Sequence, residues 1–128
     1  MLKYTLTLLS ILVYSSLFAS PSFSDFFTDK ACRVDFHFCG NAHQTAAYLD
    51  NIRQEPFWGG RHNHLDTDLN LGDFRFRVLD SLSQKVIYIN GFDALFREWQ
   101  STPEAQKTNN SFEQAIQFPY PKKAVVFL

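Results

Sequence analysis

The side chains best suited to chemistry lie in one short run, "HNHLDTD", where His62, His64, Asp66 and Asp68 occupy every second position. Alternate residues of an extended chain share a face, so two imidazoles and two carboxylates would meet there as ligands for zinc or another divalent cation. The run sits between Gly59-Gly60 and Gly72, however, where His and Asp are ordinary residues of a solvated turn. Metal sites also usually draw ligands from separate segments, so these four are weak candidates. "DTDLNLGD" fails as a calcium loop: counted from Asp66, the sixth position is Leu71 and the twelfth is Arg77, where an EF-hand needs Gly and Glu. "HNH" alone does not make a nuclease, and a formal net charge of -1 provides no basic surface for phosphates.

Nucleophilic catalysis has less to stand on. Cys39 lies near His37 and His43 in sequence, but adjacency is not a nucleophile–base pair and no third group to orient the base can be named. The chain has no G-x-S-x-G, no H-E-x-x-H, no P-loop and no dinucleotide turn. Glu98 and Glu104 flank Trp99, as if two carboxylates framed an aromatic sugar platform. The simpler reading puts Glu98 on the polar side of a short helix and makes Trp99 its apolar anchor. Cys32 and Cys39 bracket "CRVDFHFC". On one strand they face opposite ways and lie roughly 23 Å apart at about 3.3 Å per residue. A disulfide spans Cα atoms within about 7 Å, so two free, partly buried thiols are expected.

The elements that must position these residues are mostly strands. In "CRVDFHF", Cys32, Val34, Phe36 and Phe38 face one way and Arg33, Asp35 and His37 the other, with Gly40-Asn41 as a stop. "AHQTAAYLDNIRQEPFW" suits a weak helix or an extended segment, and the surrounding strands favour extended. "DFRFRVLD", "SLSQ" and "KVIYINGF" read as an antiparallel hairpin over 73–90, with Phe74, Phe76 and Val78 inward and Arg75 and Arg77 outward. "SFEQAIQF" alternates Phe112, Gln114, Ile116 and Phe118 against Glu113, Ala115 and Gln117. "PYPKK" follows as a kinked connection, since Pro119 and Pro121 cannot donate to a ladder, and "AVVFL" begins a last strand.

In "GFDALFREWQSTPEA" the period changes. Phe92, Leu95, Phe96 and Trp99 fall at i, i+3, i+4 and i+7, which predicts a helix of about two turns. Asp93 stands where a first-turn carboxylate favours the helix dipole. Thr102-Pro103 marks a second helical start, with Thr102 as N-cap and Glu104 near its dipole. Phe92, Leu95, Phe96 and Trp99 are expected to plug one end of the fold, and Trp99→Ala to cost about 3–5 kcal/mol.

The 128 residues are enough for one domain. "MLKYTLTLLSILVYSSLFAS" has an early Lys, an apolar stretch and small residues, the layout of a signal peptide over 1–20 cleaved near Ala19 or Ser20. A membrane anchor is the alternative, but the apolar part is short and carries Ser and Thr. The expected destination is the periplasm, the cell surface or the medium, with no membrane association after cleavage.

The order "CRVDFHFCGNA", "FWGG", "LNLGDFRFRVLDS", "VIYINGFDALFREWQSTPEA" and "SFEQAIQFPYPKKAVVFL" resembles the N-terminal domain of secreted bacterial zinc metallopeptidases of the immunoglobulin-A peptidase type, from about Phe26 to Leu128. Its most specific parts are Gly91-Phe92, Phe96, Glu98-Trp99, Thr102, Glu104-Ala105, Phe118-Pro119 and Pro121-Lys122. Cys39 departs from it, standing where a small polar residue is expected. The resemblance implies an all-β fold: an antiparallel, immunoglobulin-like β-sandwich over 21–128 with one short helical corner, formed by Phe92, Phe96, Glu98, Trp99, Thr102 and Glu104. It implies a domain truncated ahead of a separate catalytic domain, which would carry the H-E-x-x-H helix and the zinc. No catalytic residue and no cofactor is carried over to this chain. The expected partner is that catalytic domain, in cis or lost, with a host glycoprotein as a further partner and no nucleic acid. The alternative is a free-standing protein- or glycan-binding adhesion module, with Trp58 and Tyr120 as ligand-facing aromatics.

Overall fold

The computed structural model describes residues 20–128, so the signal-peptide reading falls, apart from Ser20, outside the described residues. Six strands and two short helices follow in the order α1 (Phe23–Phe26), β1 (Phe27–Asn41), β2 (Gln44–Glu55), β3 (Phe74–Asp80), β4 (Val86–Phe92), α2 (Leu95–Gln100), β5 (Asn110–Pro121) and β6 (Val125–Phe127). They make two antiparallel three-stranded sheets, ordered β2-β1-β5 and β4-β3-β6. The fold is an all-β sandwich.

Alternation builds the interior. Phe27, Cys32 and Val34 of β1 and Ile116 and Phe118 of β5 meet Phe76 and Val78 of β3 and Ile87 and Tyr88 of β4. Phe76 and Phe118 touch across the two layers with ring centroids 6.2 Å apart. A second cluster at one end gathers Phe38, Ala94 and Phe96, flanked by Phe74, Phe92, Trp99 and Phe112. Fully burying each Phe, Val, Ile or Leu among them contributes about 1.5–3 kcal/mol.

Four expectations need correcting. The helical corner is not alone, because α1 precedes β1. β1 begins at Phe27 rather than at Cys32, and a bulge between Thr28 and Ala31 sets Asp29 and Lys30 outside the β1–β5 register. Pro119 and Pro121 belong to β5 instead of a kinked connection. β5 is an edge strand, where missing N–H groups are tolerated, and Pro119 lies beside that bulge. Thr102 and Pro103 open no second helix. The Thr102 hydroxyl accepts from the Ala105 N–H at 3.3 Å in N-cap fashion, but residues 101–107 continue only as turns.

Candidate functional site

The corner after β4 is a clasp. Phe92 ends β4, and α2 begins only at Leu95, with Ala94 as its N-cap. The apolar phase of the helix is therefore set by Ala94 and Phe96: Phe96 is 0% exposed, whereas Leu95 is 68% exposed and takes no part in the plug. Phe96 lies 5.7 Å from the Phe38 ring and 5.9 Å from Phe112. Trp99 is half-buried against Phe96 and Phe112, and its indole N–H donates to the Glu104 carboxylate at 3.2 Å. Glu98 is exposed, and its carbonyl accepts from Ser101. The two glutamates therefore do not frame Trp99 as a sugar platform: one is a hydrogen-bond partner of the indole and the other faces solvent. Asp93 lies before α2 and accepts from the Asp73 N–H at 2.9 Å, tying the helix approach to β3.

What the corner grips is the tip of the β1–β2 hairpin. The buried Gln100 amide donates to the Asn41 carbonyl at 2.8 Å and to the Thr45 hydroxyl at 3.0 Å. The Ala42 N–H donates to the Ala105 carbonyl at 3.0 Å, and His43 and Gln106 bond at 2.9 Å. Inside the tip, the Asn41 side-chain oxygen accepts from the N–H groups of His43 and Gln44. Gly40, at φ +144°, brings the backbone so close that a Cβ would lie 2.1 Å from the Gln44 oxygen.

The outward face of the β2-β1-β5 sheet carries the densest charge. Arg33 pairs with Asp35 at 2.7 Å, Arg53 with Asp35 at 3.4 Å and with Glu55 at 2.9 Å. A bulge opposite Asp35/Phe36 leaves Asp50 as the extra residue of β2, and its carboxylate meets His37 Nδ1 at 2.5 Å. Cys39, two residues along the same face, bonds to the Ser111 hydroxyl at 3.2 Å, while His43 bonds to Gln106. Neither histidine thus forms a thiolate–imidazole pair with Cys39. Both cysteines are free, and burial pushes the Cys32 thiol above its ordinary value.

The histidine–aspartate run does not assemble on one face. His62 bonds to Asp29 at 3.2 Å and packs on Phe23, the backbone at His64 leaves the extended region at φ +52°, and Asp68 pairs with Arg75 at 2.7 Å. The Asn70 N–H and then the Arg75 guanidinium hold the Asp68 carboxyl below the usual range. Among the described residues no group of three or more His, Cys, Asp or Glu side chains is placed to hold a metal ion.

Two residues of this loop hold the fold together although nothing in their local pattern marks them. Leu65 is fully buried in the main core. Arg61 bonds to the carbonyls of Thr67 and Leu65, and to that of Ile89 on β4, with its guanidinium 5.3 Å above the Tyr88 ring. Trp58 is half-buried against the main core beside Tyr88 and donates to the Arg61 carbonyl at 3.0 Å. Tyr120 likewise packs half-buried against the core. Phe57 and Tyr48 are the aromatics that stand exposed among the described residues, and Phe57 lies at the rim of an open cleft of about 750 Å³ that Arg33, Glu55, Asn90 and Gln117 also line.

The flank between β2 and β6 is open. β2 is exposed along its length except at Glu55, even though Ala47, Leu49 and Ile52 pair with inward-facing Phe38, Phe36 and Val34. Among the described residues no strand of the other sheet covers them. An apolar groove of about 300 Å³ runs there, lined by Leu49, Ala47, Phe74, Phe76, Phe127 and Leu128 among others.

The Peptidase M64 N-terminus family model matches residues 22–128, nearly all of the described chain. The chain belongs to this family. M64 is the zinc metallopeptidase family of the immunoglobulin-A peptidase type, so the resemblance carried by the corner and by Phe118-Pro119 holds. None of the curated proteins matches the chain significantly. For this M64 N-terminal domain, the corner residues Phe96, Trp99, Thr102 and Glu104 are thus parts of a clasp on a hairpin, and each touches neighbours within the fold.

Proposed function

We propose that this M64 N-terminal domain is an exported, non-catalytic accessory module that packs on a zinc peptidase domain and positions its protein substrate. The observation that carries the reading is the family match over 22–128 on a chain without an H-E-x-x-H helix. The exposed Leu49 and Ile52 on β2 leave apolar side chains for such packing to cover. Zinc belongs to the peptidase domain in this reading, and a host glycoprotein is the substrate class. To test it, an M64 catalytic domain is assayed with and without this domain. Hydrolysis of a folded glycoprotein should fall about tenfold in kcat/KM when the domain is withheld, while a short peptide substrate is cut equally well. Peptide-bond hydrolysis by the chain alone would overturn the reading.

A second reading, a free-standing protein- or glycan-binding module, draws its support from the cleft rimmed by Phe57 rather than from Trp58 and Tyr120. It predicts that Phe57→Ala abolishes binding to an immobilised glycoprotein and leaves thermal stability unchanged.

A further inference from the structure

Each of the two exposed aromatic rings stands at an open cleft, and the clefts differ in how their polar groups are occupied. Beside Tyr48 those groups bond to one another or to the fold: Cys39 to Ser111, His43 to Gln106 and Asn109 to Asn41. The 750 Å³ cleft rimmed by Phe57 keeps its own free. Among the described residues the side-chain carboxamides of Asn90 and Gln117 bond to no other group, and Arg33 engages only its Nε, on Asp35. Asn90 is the most informative of the three. It stands opposite Phe76 in the β3–β4 register, so it holds an inward, half-buried position on a face whose other members include Val78 and Tyr88. A half-buried carboxamide without a partner costs stability, and a ligand that bonds to it recovers that cost.

The shape and chemistry of the cleft narrow the ligand. It lies between β4 and β5, edge strands of the two sheets, and neither edge offers a free ladder. On β4 the Ile89 N–H already donates to Leu65, and a Cβ on Gly91 would fall 1.7 Å from the Leu71 carbonyl oxygen. β5 carries Pro119 and Pro121, which have no N–H to donate and blunt an edge against strand addition. Recognition therefore falls to side chains instead of backbone. Charge is balanced too, since Arg33 pairs with Asp35 and Glu55 with Arg53, so the cleft does not select an ion. A pyranose ring suits what remains. Its C–H face covers an aromatic ring, and its hydroxyls, each both donor and acceptor, match carboxamides and a guanidinium. The volume is that of a small-molecule site, about 300–1,000 Å³.

We propose that this cleft binds a neutral oligosaccharide, with one sugar ring stacked on Phe57 and its hydroxyls held by Asn90, Gln117 and Arg33. The cleft carries the site itself. That the saccharide belongs to the glycoprotein substrate of the peptidase rests on the accessory-module reading.

The test is an NMR titration of the full chain with lactose, N-acetyllactosamine and N,N′-diacetylchitobiose in turn. At least one should bind saturably and shift the side-chain amide signals of Asn90 and Gln117 together. Phe57→Ala, at an exposed position, should weaken that binding about tenfold or more. Asn90→Val should weaken it as much and leave the melting temperature unchanged or higher, because an unpartnered polar group has been removed. Saturable binding by none of the three, undiminished binding by either variant, or shifts centred on the Tyr48 cleft would each overturn the site. So would tighter binding of sialyllactose than of lactose, or the same shifts produced by an extended peptide of alternating Val and Thr. The Phe57→Ala domain is then compared with wild type in glycoprotein hydrolysis by an M64 catalytic domain. Saccharide binding by a wild-type domain that gives the peptidase no help would sink the accessory reading and keep the site. Help from a wild-type domain that binds no saccharide, undiminished by Phe57→Ala, would sink the site and keep the accessory reading.

Discussion

Phe96 is the side chain on which the end of the sandwich depends. It is fully buried, and three aromatic rings surround it, those of Phe38, Trp99 and Phe112. Phe96→Ala should cost about 3–5 kcal/mol in chemical denaturation. Trp99→Ala, at a half-buried position, should cost clearly less, contrary to the weight that sequence spacing gives Trp99. Equal losses for the two variants would contradict this ranking. Arg61→Ala removes charged hydrogen bonds that join the loop to β4 and should cost about 1.5–3 kcal/mol. Lysine should rescue little of it, since one ammonium cannot span carbonyls that a guanidinium fork reaches together. Burial raises both the Cys32 thiol and the Tyr88 phenol. A raised value means that the neutral form is favoured in the fold. The associated stability is complete below the unfolded-state values and lost as pH rises past them. Melting temperature should therefore hold through neutral pH, fall above 9.0 and fall further above 10.0, with Tyr88→Phe removing the second decline. A Tyr88→Phe profile superimposable on that of the wild type would refute the assignment. Side-chain direction was legible wherever the period was two: Val34, Phe76, Val78 and Phe118 all point inward as read. Leu95 misled because Phe92 belongs to a strand, and a helical period counted across that junction starts in the wrong phase. Arg61 and Gln100 were invisible because their partners, Ile89 and Asn41, lie far away along the chain.

At the level of elements, the β1–β2 tip and the α2 corner form one mechanical unit. Gly40→Ala would force a Cβ against the Gln44 backbone at a φ of +144°, so a loss of about 1–3 kcal/mol is expected, with the tip amides of Ala42, His43 and Gln44 exchanging faster by NMR. Gln100→Ala should loosen the same amides without touching either aromatic cluster. Unaltered exchange at Ala42 in both variants would show that the tip does not rely on the corner. The strands were readable because each carries inward apolar residues at alternate positions between Gly, Asn or Ser-rich breaks. β2 was harder: its inward residues Ala47, Leu49 and Ile52 are uncovered, and the bulge at Asp50 interrupts the alternation that would have declared a strand. α1 left no trace at all, being a single turn of Phe23–Phe26 without a side-chain cap. The candidate metal run failed for a related reason. Period-two spacing gathers ligands only if the segment is extended, and Gly59-Gly60, the left-handed His64 and the Arg61 contacts bend it instead.

For the molecule as a whole, the free thiols give a simple check. Cys32 and Cys39 lie on one strand, so reductant should leave the melting temperature unchanged. A lowered value would mean that a cross-link forms in solution. Connectivity has a kinetic meaning as well. β1 is the central strand of its sheet, but one of its two partners, β5, begins at Asn110, and the clasp joins Asn41 to Gln100. Contacts this remote in sequence cannot close until β5 has been made. A nascent polypeptide halted ahead of β5 should therefore remain protease-sensitive, and the released chain should refold over milliseconds to seconds rather than microseconds. Such a polypeptide stays open until β5 has left the ribosome, so the order of synthesis sets the earliest moment at which the sandwich can close.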